Sequence, residues 1–492
     1  MSLPQKVLVA NRGEIAVRIV ATLRRLGIAS VVVFHAQDAG GRAVREADES
    51  VELFGETPVA AYLDGAAIVA ACEATGATAV HPGFGFLSEN ADFAERLAAA
   101  GIVFVGPPPA AIRAMGDKIE SKRIAQAAGV PTLPGSEGAV ETAAEATAIA
   151  AEIGFPVLLK ASAGGGGKGM RIARDAAECV EAFERASGEA LASFGDGRVF
   201  VERFIERPRH IEVQVLADGH GAVVHLGERE CSIQRRYQKV VEECPSPFVD
   251  AAMRAEMGRT AIALARAVDY RSAGTVELIV DEQRRFYFLE MNTRLQVEHP
   301  VTELVTGIDI VEQQLRVAAG EPLAFDQRQV RFDGHAIECR VYAEDADAGF
   351  VPATGPLALV RFPAGEGIRV DHGVVEGQEV SSAFDPMIAK LAVHAPTRAE
   401  AIARGRAALR ATVLLGTITN TAFLERVLAQ PAFAAGETHT GFIDEHAEAL
   451  RSPAPSERQE RSLAVAAALA SPRFDRRHAV PEPLAAIGPW ST

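Results

Sequence analysis

The run from Phe286 to His299 constrains this chain more tightly than any other segment. Phe286-Tyr287-Phe288-Leu289 is apolar throughout, as a buried strand would be. Directly after it, Glu290, Asn292, Arg294, Gln296 and Glu298 take alternate positions, with Met291, Leu295 and Val297 between them. In an extended chain successive side chains face opposite ways, so the five polar groups are expected to line one wall over an apolar back. A solvated edge strand would alternate too. Carboxylates and a guanidinium at the end of a buried strand, though, need partners, ions or ligands, because unpaired burial is too costly.

A neighbouring segment extends the argument. Thr275 to Val280 and Arg285 to Glu290 read as two strands separated by Asp281-Glu282-Gln283-Arg284. With an even-numbered loop, Glu277 lies opposite Phe288 and diagonal to Glu290 on one face, about 7–8 Å away. An odd-numbered loop would separate the two acids. Glu277 and Glu290 with the Asn292 amide make an all-oxygen set suited to magnesium or manganese, with phosphates filling the remaining positions.

The formal net charge of −15 disfavours nucleic acid or an anionic membrane as the main partner. No apolar run approaches membrane-span length, and Met1 to Lys6 does not read as a signal peptide. Cys72, Cys179, Cys231, Cys244 and Cys339 are scattered and lack metal-ligand spacing, which points to a reducing, cytoplasmic setting.

The chain reads as α/β and α+β. Residues 1–115 alternate strand and helix signals, as in an open parallel α/β domain. Asn11-Arg12-Gly13-Glu14 stands where a dinucleotide-binding glycine signature would be, so a nicotinamide site is rejected. Arg12 and Glu14 are open to a reading as solvated cap residues. Residues 116–205 form a linker and small lid unit, and 206–330 turn to antiparallel strands. There Ile211 to Ala217 and Ala222 to Leu226 flank an Asp218-Gly219 turn. Residues 331–448 form a mainly antiparallel α+β C-terminal domain, and 449–492 a peripheral tail with a helix-capable Leu463 to Leu469.

Three further segments suit phosphate chemistry. Lys160 ends a strand that runs into Gly164-Gly165-Gly166-Gly167-Lys168, where backbone without Cβ atoms can fold over phosphates. This is not a P-loop, and a mobile lid fits it better. Gln234-Arg235-Arg236-Tyr237-Gln238-Lys239 is densely cationic. In His335 to Val341, alternation sets Glu338 and Arg340 opposite Ile337, Cys339 and Val341.

Together these strings resemble the biotin carboxylases, members of the ATP-grasp group. The resemblance rests on Ala10-Asn11-Arg12-Gly13-Glu14-Ile15-Ala16, His81 to Asn90, the glycine loop, Glu290 to Pro300, and Phe384-Asp385-Pro386-Met387-Ile388-Ala389-Lys390, in order over about residues 5 to 445. It implies three domains, with an ATP-grasp lid over an ATP site. It implies ATP contacts from Lys118, Lys160 and His210, with Gly166 and Gly167 over the phosphates. Glu202, Arg203 and Ile205 would border the adenine, and Gln234 and Tyr237 the sugar. Glu277, Glu290 and Asn292 would hold Mg²⁺ or Mn²⁺. Lys239, Arg294, Gln296 and Val297 would hold bicarbonate, Glu298 would deprotonate it, and Arg340 would stabilise the biotin enolate.

The activity implied is ATP- and bicarbonate-dependent carboxylation of biotin through carboxyphosphate, the first half-reaction of an acyl-CoA carboxylase. Two departures stand out: Tyr237 replaces a customary His or Asn, and Ala163 a customary glycine. No Met-Lys-Met biotin-attachment motif occurs, so biotin is expected in trans or from a segment absent here. The expected partners are a biotin carboxyl carrier protein or domain, a carboxyltransferase subunit, and a second copy in a homodimer or larger complex. The alternatives are another ATP-grasp carboxylate–amine ligase, which Arg294 to Glu298 disfavours, and a nucleotide-binding regulatory module, which has no need of a base.

Overall fold

Five short strands alternate with helices as expected: β1 (Lys6–Val9), β2 (Ala29–Phe34), β3 (Glu49–Glu52), β4 (Ala79–His81) and β5 (Val103–Phe104). They pair in parallel in the order β3-β2-β1-β4-β5. The helix Gly13–Arg25 buries Ile15, Ile19 and Leu23 against this sheet. Asn90 caps the helix Ala91–Ala99 by accepting from the Phe93 N–H. The computed structural model describes residues 2–161, 170–454 and 456–469. The described residues up to Leu450 form one compact unit, and those from Arg451 to Leu469 belong to a second. In the second, Glu457–Leu469 is helical, with Leu463 and Val465 exposed.

A three-stranded antiparallel sheet of β6 (Val157–Ala161), β7 (Met170–Ala173) and β8 (Val199–Arg203) follows, with β6 central. Helices Ala143–Ile153 and Ala176–Phe194 supply its core, through Ala146, Ala150, Ala182 and Phe183. Gly166 and Gly167 lie outside the described residues.

The largest sheet contains β9 (Arg209–Ala217), β10 (Val223–Arg235), β11 (Gln238–Cys244), β12 (Ser272–Val280), β13 (Phe286–Asn292) and β14 (His335–Tyr342). Strands Ile368–His372 and Met387–Ala395 complete it. Every pairing is antiparallel, in the order β13-β12-β9-β10-β11-β14, then Met387–Ala395, then Ile368–His372. The sheet runs without interruption across residue 330, because β11 bonds directly to β14.

On β9, Ile211, Val213 and Val215 pack towards the helix Ala251–Ala267, leaving His210, Glu212 and Gln214 on the other face. The β9–β10 hairpin does not close on a two-residue Asp218-Gly219 turn. Ala217 pairs with Val223, and the Asp218 carboxylate organises a five-residue loop by accepting the N–H groups of His220 and Ala222. All five cysteines are buried and free. Among the described residues no helix is long and apolar enough to cross a membrane.

Candidate active site

The hairpin of β12 and β13 brings the two acids together by a different route from the one expected. Val280 pairs with Phe286, so five residues rather than four separate the strands, and parity alone would split Glu277 from Glu290. A bulge at Leu289 adds one residue and restores them to one face, directly opposite each other. Glu277 also pairs with Glu212 on β9, and Glu212 with Arg229 on β10. Three carboxylates and a guanidinium therefore stand in one row across four strands. Like charges side by side repel, so this row needs cations to hold it.

Lys239 supplies the first. Its Nζ lies 2.5 Å from Glu212 Oε2, 2.8 Å from Glu277 Oε1 and 2.7 Å from Glu298 Oε1. An ammonium has three donors, and all three are used on carboxylates. Arg229, fully buried, ties the other oxygen of Glu212 at 2.5 Å and reaches Gln214 and Thr302. Arg340 reaches Glu298 Oε2 at 3.0 Å and Glu242 Oε1 at 2.5 Å. Burial works to raise the Glu298 carboxyl, but Lys239, Arg340 and Arg229 outweigh it and hold it well below the usual range. Glu298 is fully buried and ionised at neutral pH.

The expected extended wall ends early. β13 stops at Asn292, and Arg294 to Glu298 form a loop leading into the helix His299–Thr306. The groups nevertheless converge, because Leu295 anchors the loop in the core beside Ile15 and Ile19. Arg294 donates to Asn292 Oδ1 (2.9 Å), Gln296 Oε1 (2.5 Å) and Glu89 Oε2 (3.1 Å). Glu277 Oε1 also accepts from Asn292 and Gln296. Its Oε2 lies 2.9 Å from His210 Nε2. Gln234 Nε2 lies 2.7 Å from His210 Nδ1.

Lys239, Glu298, Arg340, Glu277, His210, Gln234 and the Asn292–Arg294–Gln296 groups line one cavity of about 350 Å³, with Glu212, Arg229 and Glu242 behind them. Of the residues expected at the site, it gathers Lys118, Lys160, Glu202, His210, Gln234, Tyr237, Lys239, Glu277, Glu290, Asn292, Arg294, Gln296, Val297, Glu298 and Arg340. Two expectations do not reach it with their side chains. Arg203 is exposed and donates to the Ile153 carbonyl at 2.7 Å, and Ile205 lies beyond the end of β8. Elsewhere in the cavity lining, Glu202 sits between Lys160 (2.8 Å) and Lys122 (3.0 Å). Burial lowers the Lys118 ammonium, with Glu290 opposing and Lys160 adding to the shift.

Glu277 and Glu290, paired across β12 and β13, and the Asn292 amide are an all-oxygen set of the kind a divalent cation takes. Burial, and then the adjacent Glu277 charge, push the Glu290 carboxyl up, a penalty that a cation shared by both would relieve. His210 and Glu212 cluster with Glu277 at metal-binding separations, but Glu212 is committed to Arg229 and Lys239.

Glu212, Glu242 and Arg229 escaped the reading of the sequence. The signal for Glu212 was present in the alternation of β9, where it faces the same way as His210 and Gln214. Arg12 and Glu14 are not solvated caps. Arg12 pairs with Asp38 at 2.6 Å and lies over the Phe384 ring, and Glu14 is buried.

Tyr237 occupies a two-residue turn closing β10 and β11, with φ of +48° at Arg236 and +66° at Tyr237. Asparagine and glycine are usual at both positions of such a turn. Tyr237 is 55% exposed, so its side chain contributes little to the core. Tyr237→Asn is expected to raise unfolding stability by about 1 kcal/mol, in denaturant titration, by relieving the left-handed backbone.

Family models for the biotin carboxylase N-terminal domain match residues 3–112, and those for its C-terminal domain match 338–445. Between them, the carbamoyl-phosphate synthase L chain ATP-binding domain matches 117–325. The chain is 53% identical over 484 residues to a propionyl-CoA carboxylase alpha chain of Ruegeria pomeroyi, covering 94% of this chain and 71% of that one. It is 51% identical over 443 residues to a biotin carboxylase of Halalkalibacterium halodurans, covering 90% of this chain and 98% of that protein. Among solved structures, the biotin carboxylase domain of Hydrogenobacter thermophilus 2-oxoglutarate carboxylase, in complex with MgADP, ADP and bicarbonate, superposes with a TM-score of 0.90 at 46% identity. That match covers 92% of this chain and all of that one.

Proposed function

Because this chain belongs to the biotin carboxylase family, we propose that its cavity activates bicarbonate with ATP and carboxylates biotin carried on a partner. The observation that carries the reading is the ionised Glu298, clamped between Lys239 and Arg340 in a cavity that is also lined by Lys118 and Lys160.

In this reading the lysines hold the ATP phosphates, and Arg294 and Gln296 hold bicarbonate beside Glu298. Glu298 takes the bicarbonate proton as its oxygen attacks the γ-phosphate, giving carboxyphosphate and ADP. Carboxyphosphate breaks to CO₂ and phosphate, which takes the proton from the biotin ureido nitrogen. Arg340 offsets the charge on the ureido oxygen, as an oxyanion-hole donor does. Magnesium or manganese at Glu277, Glu290 and Asn292 supplies charge neutralisation at the phosphates when bound. Within Met1–Leu450 we assign an N-terminal domain to 1–115, a lid to 116–205, a catalytic half to 206–330 and a C-terminal domain to 331–448.

The relatives include alpha chains of acyl-CoA carboxylases. For this chain we propose a carrier domain, a carboxyltransferase and a second copy as partners, and a cytoplasmic setting that suits its five free cysteines. Purified protein is expected to cleave ATP only with bicarbonate present, faster with free biotin. ATP cleavage that follows an amine acceptor and ignores biotin would instead point to a carboxylate–amine ligase.

A further inference from the structure

Two of the strings that mark the family, Asn11 to Ala16 and Phe384 to Lys390, supply none of the groups described in the cavity. The fold brings them together directly behind it. Lys390, on Met387–Ala395, is 1% exposed, and its Nζ lies 3.1 Å from Glu14 Oε2 and 4.0 Å from Asp371 Oδ2. Beside these ion-pair contacts, Lys390 Nζ donates a hydrogen bond to a main-chain atom, the Val297 carbonyl, at 2.9 Å. Lys390 also stands opposite Arg340 on β14, with Glu338 diagonal to it.

The adjacent carbonyl is tied as well: Gln296 O lies 2.7 Å from His299 Nδ1. Both peptides after these carbonyls are trans. In a trans peptide the N–H points opposite to its C=O. The N–H groups of Val297 and Glu298 are therefore turned away from His299 and Lys390, and Val297 lines the cavity. Neighbouring backbone N–H groups beside a cavity suit a small anion.

We propose that Lys390, braced by Glu14, is a positioning residue for bicarbonate: it fixes the 297–298 peptide so that the loop presents its donors and the Glu298 carboxylate together. The proposal rests on the bicarbonate reading above. A buried ammonium with no such duty is replaceable by a packed apolar side chain. Burial pushes the Glu14 carboxyl up to about 7 even beside Lys390, so the brace is held at a cost to the fold.

The test is steady-state ATP cleavage at saturating biotin, with melting curves, for wild type, Glu14→Gln and the charge-balanced Lys390→Met/Glu14→Gln pair. The pair is expected to fold and to raise the bicarbonate KM about tenfold, the worth of one charge-assisted hydrogen bond, leaving the ATP KM unchanged. Glu14→Gln is expected to give a smaller rise in the same constant. An unchanged bicarbonate KM in the pair, or equal rises for both substrates, overturns the proposal. If the pair does not fold, Glu14→Gln decides: an unchanged bicarbonate KM, or loss of its fold, makes Lys390 a structural brace only. Wild-type protein without bicarbonate-dependent cleavage would fail the functional reading instead, a result visible before any variant is made.

Discussion

Glu298→Gln is expected to lower kcat for bicarbonate-dependent ATP cleavage by about 10²–10⁴-fold, the range of a positioned proton acceptor. Glutamine keeps the size of the side chain and still accepts a bond from Arg340, so the loop should hold its shape. ATP is expected to bind as before, measured by calorimetry, because Glu298 pairs with Lys239 and Arg340 while Lys160 is held by Glu202. The drop should fall equally on kcat and on kcat/KM for bicarbonate, marking a contact that matters in the transition state. A variant that keeps full ATPase would revive the regulatory-module alternative. The same residue has a pH signature. Its carboxyl is depressed in the folded state, so the stability linked to it is present above the ordinary carboxylate range. That stability is lost as pH falls through the lower folded value, and Glu298→Gln should remove this contribution to acid unfolding.

Lys239→Met is expected to act on both fold and chemistry. It leaves Glu212, Glu277 and Glu298 without their shared counter-charge in a site where Lys239 is 11% exposed. Breaking such a buried pair costs about 3–5 kcal/mol, to be read from urea unfolding. Activity is expected to fall by about 10²–10³-fold, as when one preorganised donor is removed. Unchanged stability would mean that the three carboxylates share protons and do not depend on the ammonium.

Much of this site was readable from residue types and alternation, and its failures have physical causes. Glu277 and Glu290 were paired correctly as neighbours, although the loop count behind that reading was wrong. A bulge at Leu289 compensates, and nothing in Phe286 to Glu290 announces a bulge. The five alternating polar residues converge as expected, yet only Glu290 and Asn292 do so as part of a strand. For Arg294 to Glu298 the alternation reflects a loop pinned through Leu295 and Val297. The alternation of β9 marked the face of Glu212, but its pairing with Arg229 exists only across strands, and strand neighbours are not adjacent in sequence. Glu14 and Lys390 lie 376 positions apart and meet through tertiary packing alone.

The unbroken sheet across residue 330 has a consequence for any attempt to divide this protein. β11 and β14 exchange main-chain bonds along Val241 to Cys244 and Ala336 to Cys339. A gene cut there would leave each fragment with a long, raw strand margin, one that invites precipitation. It would also strand Arg340 on one piece and Glu298 on the other. The two segments, though matched by separate family models, should be salvageable only by co-expression, each serving as the template on which the other completes its sheet.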